Sequence, residues 1–408
     1  MTFESKRRSF GAPSATRPPL RGPKGDKGNP GAVGPAGADG ALVAGARHVH
    51  EFGAIARGIG DTVSADECTA NTVALNAACA AIFATGGTLF FGGGGETGAV
   101  YHVNGPWGFV VTEDTNVRVT LQGLGPFPGA LVYSNNTSQE NFRLHSTIPN
   151  IRNIYVKDMQ FLGGRTAVSL VRCFYSRFER CWFWGATQFA VQIAYGGDLV
   201  FHGCFFTETG AFGDALFLYA AQALFSDTTW GEAGGGVVMF DSALMIKGGV
   251  FQAACFYRGK DYTDYWTTPG TPVTQSLAFY YGEESCIIAA NSDLDIDCRM
   301  YVVKIGISID LGHNIKIAGQ FLTDGAAFEG FINVMRNSAV ALKVDGQFRW
   351  NFQTGYFIKE VAALLHDSMI NAQFINQGGT ITALGTSAPA LVNPGGENNL
   401  VTTRTFTV

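Results

Sequence analysis

Glycine-punctuated hydrophobic segments recur from residue 150 onward at a period near 22 residues, and no other feature limits the fold of this chain more. Each segment carries a short aromatic strand: Met159-Gln160-Phe161, Cys181-Trp182-Phe183, Cys204-Phe205-Phe206, Thr228-Thr229-Trp230 and Gly249-Val250-Phe251, with spacings of 22, 23, 24 and 21 residues. Gly319-Gln320-Phe321, Gly346-Gln347-Phe348 and Ala372-Gln373-Phe374 continue the series, 27 and 26 residues apart. A unit this short cannot bury its apolar side alone, so successive units must stack as coils of a solenoid. Coils about 4.8 Å apart set like residues over like. Phe161, Phe183, Phe206, Trp230 and Phe251 are therefore expected to form one internal aromatic ladder. Cys181 and Cys204 fall one coil apart and are expected to stack as thiols rather than as a disulfide.

Composition agrees with a β-rich chain of many tight turns. Of 408 residues, 53 are glycine and 32 phenylalanine, against a usual glycine share of about 7%. Charged residues make up 15% and hydrophobic ones 46%, enough for a large core. A β-propeller repeats too, but its blade takes about 40–45 residues and four strands. A leucine-rich repeat would need a leucine/asparagine frame that is absent. The period predicts an all-β parallel β-helix of about nine or ten coils between residues 100 and 380.

Ahead of the repeats, glycine falls at Gly22, Gly25, Gly28, Gly31, Gly34, Gly37 and Gly40 without a miss. That is the collagen period, because only glycine fits the crowded axis of three polyproline-II chains. Residues 22–42 read as a triple-helical stalk, its six triplets spanning about 50 Å at about 3 Å per residue. So short a stalk needs a trimeric body to clamp it, which predicts a homotrimer. Residues 1–21 show no hydrophobic period and cannot fold alone. Residues 1–30 carry a net charge of +5, with Lys6, Arg7, Arg8 and Arg17 prominent, and leave −10 on the remainder. A basic tail on an acidic body is expected to dock on an acidic partner. The body has no basic stripe, so nucleic acid is not the expected partner.

Residues 43–104 form an entry segment. Thr69 to Ala84 has a loose helical period, with Thr69 or Asn71 as candidate N-cap, Gly86-Gly87 stops it, and Thr88-Leu89-Phe90-Phe91 reads as a strand. The order Glu51-Phe52-Gly53-Ala54, Gly58-Ile59-Gly60-Asp61, Ala74-Leu75-Asn76-Ala77-Ala78, Gly86-Gly87-Thr88-Leu89-Phe90-Phe91 and Tyr101-His102-Val103 resembles the entry of the pectate-lyase-like superfamily, common in phage tailspikes. It departs in three places: Glu51 stands for an aspartate, one turn glycine is displaced, and Gly92–Gly95 replaces a proline turn. The resemblance implies a right-handed parallel β-helix over 105–384, with the helix capping its open N-terminal end, where an exposed strand edge would invite pairing. Residues 385–408 would close the far end or pair with a neighbouring chain.

What the resemblance implies for function is a virion appendage, assembled in a host cytoplasm. Its N-terminus would attach to a virion tail, baseplate or collar protein, and its β-helix would meet host surface polysaccharide. Two other readings stay open: a depolymerase (glycoside hydrolase or polysaccharide lyase) and a collar or neck fibre without a receptor site. The first 20 residues hold no apolar run of about 7–15 residues, so no secretory signal is expected, and no membrane insertion is expected either.

Two stretches are candidates for chemistry. The segment between the coils ending near Cys255 and starting near Ser276 is too long for a tight turn and is expected to protrude. Its Tyr257, Arg258, Tyr262, Tyr265 and Trp266 offer ring faces and charges to a glycan, or pack between subunits. In Asp293-Leu294-Asp295-Ile296-Asp297, alternation puts three carboxylates on one strand face. Neighbours about 7 Å apart would suit inverting glycoside hydrolysis, with Asp293 and Asp295 as the catalytic candidates; the bland alternative is a solvated outer face. Glu208, Asp214, Asp227 and Glu232 flank turns. The seven histidines show no metal-ligand spacing, no lysine follows Gly92–Gly95 to make a phosphate loop, and no cofactor or metal is expected.

Overall fold

The structure, a computed structural model, describes residues 45–407 except 59, 93–98, 113–116, 126–128, 148–150, 208–213, 231–234, 252–264, 269–270, 274–284, 291, 303–304, 311–313, 324–329, 335–338, 341, 351–355, 361–363, 366–368 and 377–399. The basic tail with Lys6, Arg7, Arg8 and Arg17 and the glycine-triplet stalk lie outside the described residues.

The body is a parallel β-helix with three strand faces. The first face stacks Ala46–His48, Gly87–Phe91, Val119–Gly123, Ile154–Lys157, Arg177–Glu179, Leu199–His202 and Gln222–Ser226, each parallel to the next. The second stacks Val100–Val103, Ala130–Ser134, Met159–Gly163, Trp182–Trp184, Phe205–Thr207 and Thr229–Trp230. From Ala243–Phe251 onward, single long strands serve both faces: Asp293–Val302, Ile315–Thr323, Leu342–Trp350 and Met369–Asn376. The third face has ten strands, from Trp107–Val111 to Tyr356–Glu360. Leu400–Thr407 adds a last rung on Met369–Asn376 of its own chain.

In the early coils, the corner between the first two faces is made by one residue in the left-handed region. Asp158, Arg180, Gly203 and Asp227 hold φ of 54°, 49°, 58° and 50°. Each N–H donates to a carbonyl one coil on, at Glu179, His202, Ser226 and Lys247. Gly248 takes this place one coil further on, with φ of 69°, and at the next position, held earlier by Cys181, Cys204 and Thr228, later coils carry glycine. A Cβ on Gly249 would lie 2.1 Å from the Thr228 carbonyl oxygen, and one on Gly319 2.0 Å from that of Cys298. This close approach explains why glycine opens the later aromatic triplets.

The interior is laddered as the period predicts. Phe161, Phe183, Phe206, Trp230 and Phe251 occupy one register position in successive coils, which Met300, Phe321, Phe348 and Phe374 continue. Met300 is the rung that an alignment on aromatic residues skips. Cys181 and Cys204 are buried free thiols, as are Cys68, Cys79, Cys173 and Cys298. Burial pushes the Cys181 thiol well above its ordinary range, and the neighbouring Cys204 adds to the effect.

The capping helix runs Ala65–Thr85, earlier than the sequence period places it. Its N-cap is Ser64, whose hydroxyl accepts from the Glu67 N–H at 3.2 Å, not Thr69 or Asn71. Thr69 instead donates back to the Ala65 carbonyl. Asn71 is buried and ties the helix to Ile55 and His102. Asn76 accepts from the Gly108 N–H and donates to the Pro106 carbonyl, and Phe83 packs on Phe109 at 5.1 Å. The helix is apolar and long enough to cross a bilayer, but its Leu75, Ala78, Cys79 and Ile82 are buried in the core.

Candidate functional site

Alternation on the strand Asp293–Val302 is as the sequence predicts. Leu294, Ile296 and Cys298 point inward, and Asp293, Asp295 and Asp297 outward. Both catalytic candidates are held by neighbours. Asp295 Oδ1 lies 2.6 Å from Lys247 Nζ, one coil back. Asp293 Oδ1 accepts from the backbone N–H of Asn314 at 3.1 Å and its side-chain amide at 3.3 Å.

The two aspartates line a groove on the outside of the first face. One cavity of about 460 Å³ is bounded by Asp198, Val200, Gln222, Leu224, Met245, Asp293, Asp295 and Lys316 among others. A second, of about 590 Å³, runs on through Tyr175, Asp198, Ala220, Gln222, Asp241 and Asp293. They share Asp198, Gln222, Ala243 and Asp293, so together they form one trough from Phe174 to Lys316. That crosses six coils, about 24 Å at about 4.8 Å per rise. Its lining mixes apolar side chains with carboxylates, amides and an ammonium, the make-up of a site that fixes a ligand by a few placed polar groups.

The trough lies at the corner where the third face turns into the first. Tyr175 and Asp198 are both left-handed there, with φ of 49° and 53°, and the Tyr175 N–H donates to the Gly197 carbonyl at 3.1 Å. Tyr175 is 57% exposed. Left-handed non-glycine residues cost free energy and gather at functional corners. Sequence reading missed Tyr175, Asp198, Gln222 and Asp241, because corner residues keep no hydrophobic period.

Beside the trough, Glu179 collects donors on the same face. Tyr155 Oη donates to it at 2.5 Å, with Arg180 at 2.9 Å and Arg177 at 3.3 Å. The Tyr155 hydroxyl, then the flanking arginines, hold its carboxyl below the usual range. An acceptor so engaged is no candidate general acid.

The aromatic glycan candidates fall elsewhere. Tyr257, Arg258 and Tyr262 lie outside the described residues. Tyr265 and Trp266 sit on an antiparallel hairpin, Tyr265–Thr268 against Thr271–Val273. That hairpin belongs to the connection from Phe251 to Ser285, at the corner between the second and third faces. The chain thus puts the aspartates and the hairpin that carries Tyr265 and Trp266 on different corners.

A different set of aromatic side chains faces outward on the second face. Trp182 and Trp184 flank the buried Phe183 and stack at 5.6 Å. Phe205 lies 6.2 Å from Trp182, and Trp182 Nε1 donates to Thr207 Oγ1 at 2.7 Å. Strand alternation around Phe183 carries this signal in the sequence.

No family model matches the chain, and no curated protein matches it in sequence. Among solved structures, PfbA, a surface adhesin of Streptococcus pneumoniae, gives a TM-score of 0.53 at 9% identity, covering 89% of this chain and 92% of that one. The ORF18 protein of Geobacillus virus E2 gives 0.49 at 16% identity, over 81% of this chain and 61% of that one. A tailspike protein of E. coli bacteriophage HK620 gives 0.41 at 10% identity, over 83% and 61%. The chain therefore spans about 61% of each of these two viral proteins. The adhesin likeness supports the fold alone: a parallel β-helix.

Proposed function

We propose that this protein is a homotrimeric virion appendage, a tail fibre or spike whose right-handed β-helix attaches to host surface glycan. The observation that carries the reading is the trough from Phe174 to Lys316. It is open along the coil axis, so it suits a chain rather than a compact small molecule. Asp198, Gln222, Asp293, Asn314 and Lys316 offer hydroxyl-binding groups, and Tyr175 offers an exposed ring. In this reading residues 22–42 form the spacer, and Lys6, Arg7, Arg8 and Arg17 dock on an acidic tail, baseplate or collar protein. Tyr257, Arg258, Tyr262, Tyr265 and Trp266 add further glycan contacts in this reading.

One observation favours a second reading, a depolymerase: Asp293 and Asp295 share the same trough. Their engagement by Asn314 and Lys247 favours binding over proton transfer. The test is incubation with host-envelope polysaccharide, followed by chromatography for polymer size. Co-elution at unchanged size, weakened in Asp198→Asn, is the expected outcome. Shortening that Asp293→Asn or Asp295→Asn abolishes would make the protein a depolymerase. Neither shortening nor co-elution would overturn both readings in favour of a structural fibre.

A further inference from the structure

The trough has an ordered lining. Val200, Leu224 and Met245 hold one outward register position of the first face in three successive coils. All three line the first cavity, and Met245 is 41% exposed. The same row is charged on either side of this strip, with Arg177 one coil before it and Asp295, Lys316 and Lys343 after it. Aliphatic side chains left open in a concavity offer apolar area for a ligand to cover. Carboxylates stand at both ends of the strip. Asp198 lies two residues before Val200, and Asp293 two before Asp295. Three rises of about 4.8 Å separate Val200 from Asp295, so these ends are about 14 Å apart. Asp293 is bonded by the neutral backbone and amide of Asn314. Asp198 has no cation within ion-pair reach among the described residues. Asp241 lines the adjoining cavity. Only Asp295 is offset at close range, by Lys247 at 2.6 Å, and Lys316 is the other cation at the described lining. Four carboxylates thus face two ammonium groups.

We infer that the trough takes a non-anionic glycan and turns away polysaccharide bearing uronate, sulfate or phosphate groups. The inference rests on the glycan reading above and narrows it to a substrate class. An ionised carboxylate only accepts hydrogen bonds, so Asp198 and Asp293 need donors from the ligand. Sugar hydroxyls supply them, in charge-assisted bonds, while the C–H faces of the rings cover Val200, Leu224 and Met245. The oxygens of a uronate, sulfate or phosphate have no proton to give. Such a group over the middle of the strip would also lie about 7 Å from each end. That is inside the screening length of about 8–10 Å at ordinary ionic strength, so salt would not remove the repulsion. Lys316 lies one coil beyond Asp295, past the end of the strip, and Lys247 is committed to Asp295.

The test divides host-envelope polysaccharide on an anion exchanger into an unretained, non-anionic fraction and a retained, anionic one. The full chain is titrated with each, at low and at high salt. The unretained fraction is expected to bind with an affinity that salt changes by no more than about twofold, as an uncharged ligand requires. The retained fraction is expected to bind at least about tenfold more weakly at low salt, and to gain as salt screens the carboxylates. Asp198→Asn/Asp293→Asn removes both charges at nearly constant shape, and asparagine tolerates the left-handed φ of 53° at position 198. This double variant should narrow the gap between the fractions by about tenfold, even as it weakens binding of the unretained one. The wild-type comparison stands by itself if the double variant fails to fold. A retained fraction that binds as tightly as the unretained one at low salt would overturn the inference and leave the glycan reading standing. A gap that a folded double variant does not narrow would do the same. Binding of neither fraction would overturn the glycan reading, and the inference with it.

Discussion

Phe206 stacks on Trp230 one coil away, with ring centroids 4.4 Å apart and planes 12° from parallel. A second ladder, Phe178, Phe201 and Phe225, runs beside it at 4.8 and 4.5 Å. The two meet edge-on, Phe206 against Phe225 at 5.9 Å. Phe206 thus touches aromatic rings above, below and beside it, all fully buried. Phe206→Ala should cost about 3–5 kcal/mol, the transfer term plus a cavity that flat neighbours cannot close. Denaturant unfolding measures it. Because each coil touches only its neighbours, the loss should appear as early melting of the middle coils. Hydrogen exchange would show protection falling there first.

Gly87 joins the first coil to the strand that leads in from the N-terminus. Its φ is 115°, and a Cβ there would lie 1.9 Å from the Gly45 carbonyl oxygen. Gly87→Ala should detach Ala46–His48 from Gly87–Phe91 while leaving the later coils folded. The expected readout is rapid amide exchange confined to 46–48 and the edge of the first coil. Unchanged protection there would mean the contact does not hold the entry strand.

The internal ladder was legible because stacking repeats a residue type at a fixed period: Phe161, Phe183 and Phe206 announce themselves. Met300 was not legible, since it fills an aromatic place with an unbranched thioether, and a long insertion before it hides the spacing. The helix N-cap was misplaced because Thr69 and Asn71 are good caps by type, while Ser64 wins by position. Asp293 and Asp295 were legible as outward carboxylates from alternation alone. Their partners Asn314 and Lys247 were not, because each belongs to an adjacent coil some tens of residues away. Tyr175 and Asp198 were invisible for a related reason: a corner has no period, and only the backbone angle distinguishes it.

His145 is buried against Ser169, its Nε2 2.8 Å from the serine oxygen. Burial, opposed by Glu140 and assisted by Arg143, lowers its pKa from an ordinary 6.5 to about 4. The folded state thus resists protonation that the unfolded chain accepts. Its contribution is fully present above pH 6.5 and is lost as pH falls towards 4. The full shift corresponds to roughly 3 kcal/mol. His48, His50 and His102 are lowered by burial as well and slope the same way. His145→Gln keeps a hydrogen-bonding side chain without the titration. The difference in unfolding free energy between wild type and His145→Gln should therefore change between pH 6.5 and 4 and stay flat above pH 7.

Tyr175 joins a backbone cost to an exposed ring. Its φ of 49° is unfavourable for any residue with a Cβ, and its ring is 57% exposed at the end of the trough. Little packing is lost if the ring goes. Tyr175→Gly should therefore raise stability by up to about 1 kcal/mol, the relief of a left-handed Cβ set against the entropy of a freer unfolded chain. Tyr175→Ala keeps the Cβ, and its stability should stay within about 0.5 kcal/mol of wild type. If the ring stacks on a sugar, both variants should weaken polysaccharide affinity by about tenfold, near 1.4 kcal/mol. Stability and affinity would then move in opposite directions in Tyr175→Gly alone. That pattern, from thermal unfolding and a binding titration on the same preparations, would mark Tyr175 as a residue kept for its ring. Unchanged affinity in both variants would remove Tyr175 from the site and leave its strained backbone unexplained by glycan binding.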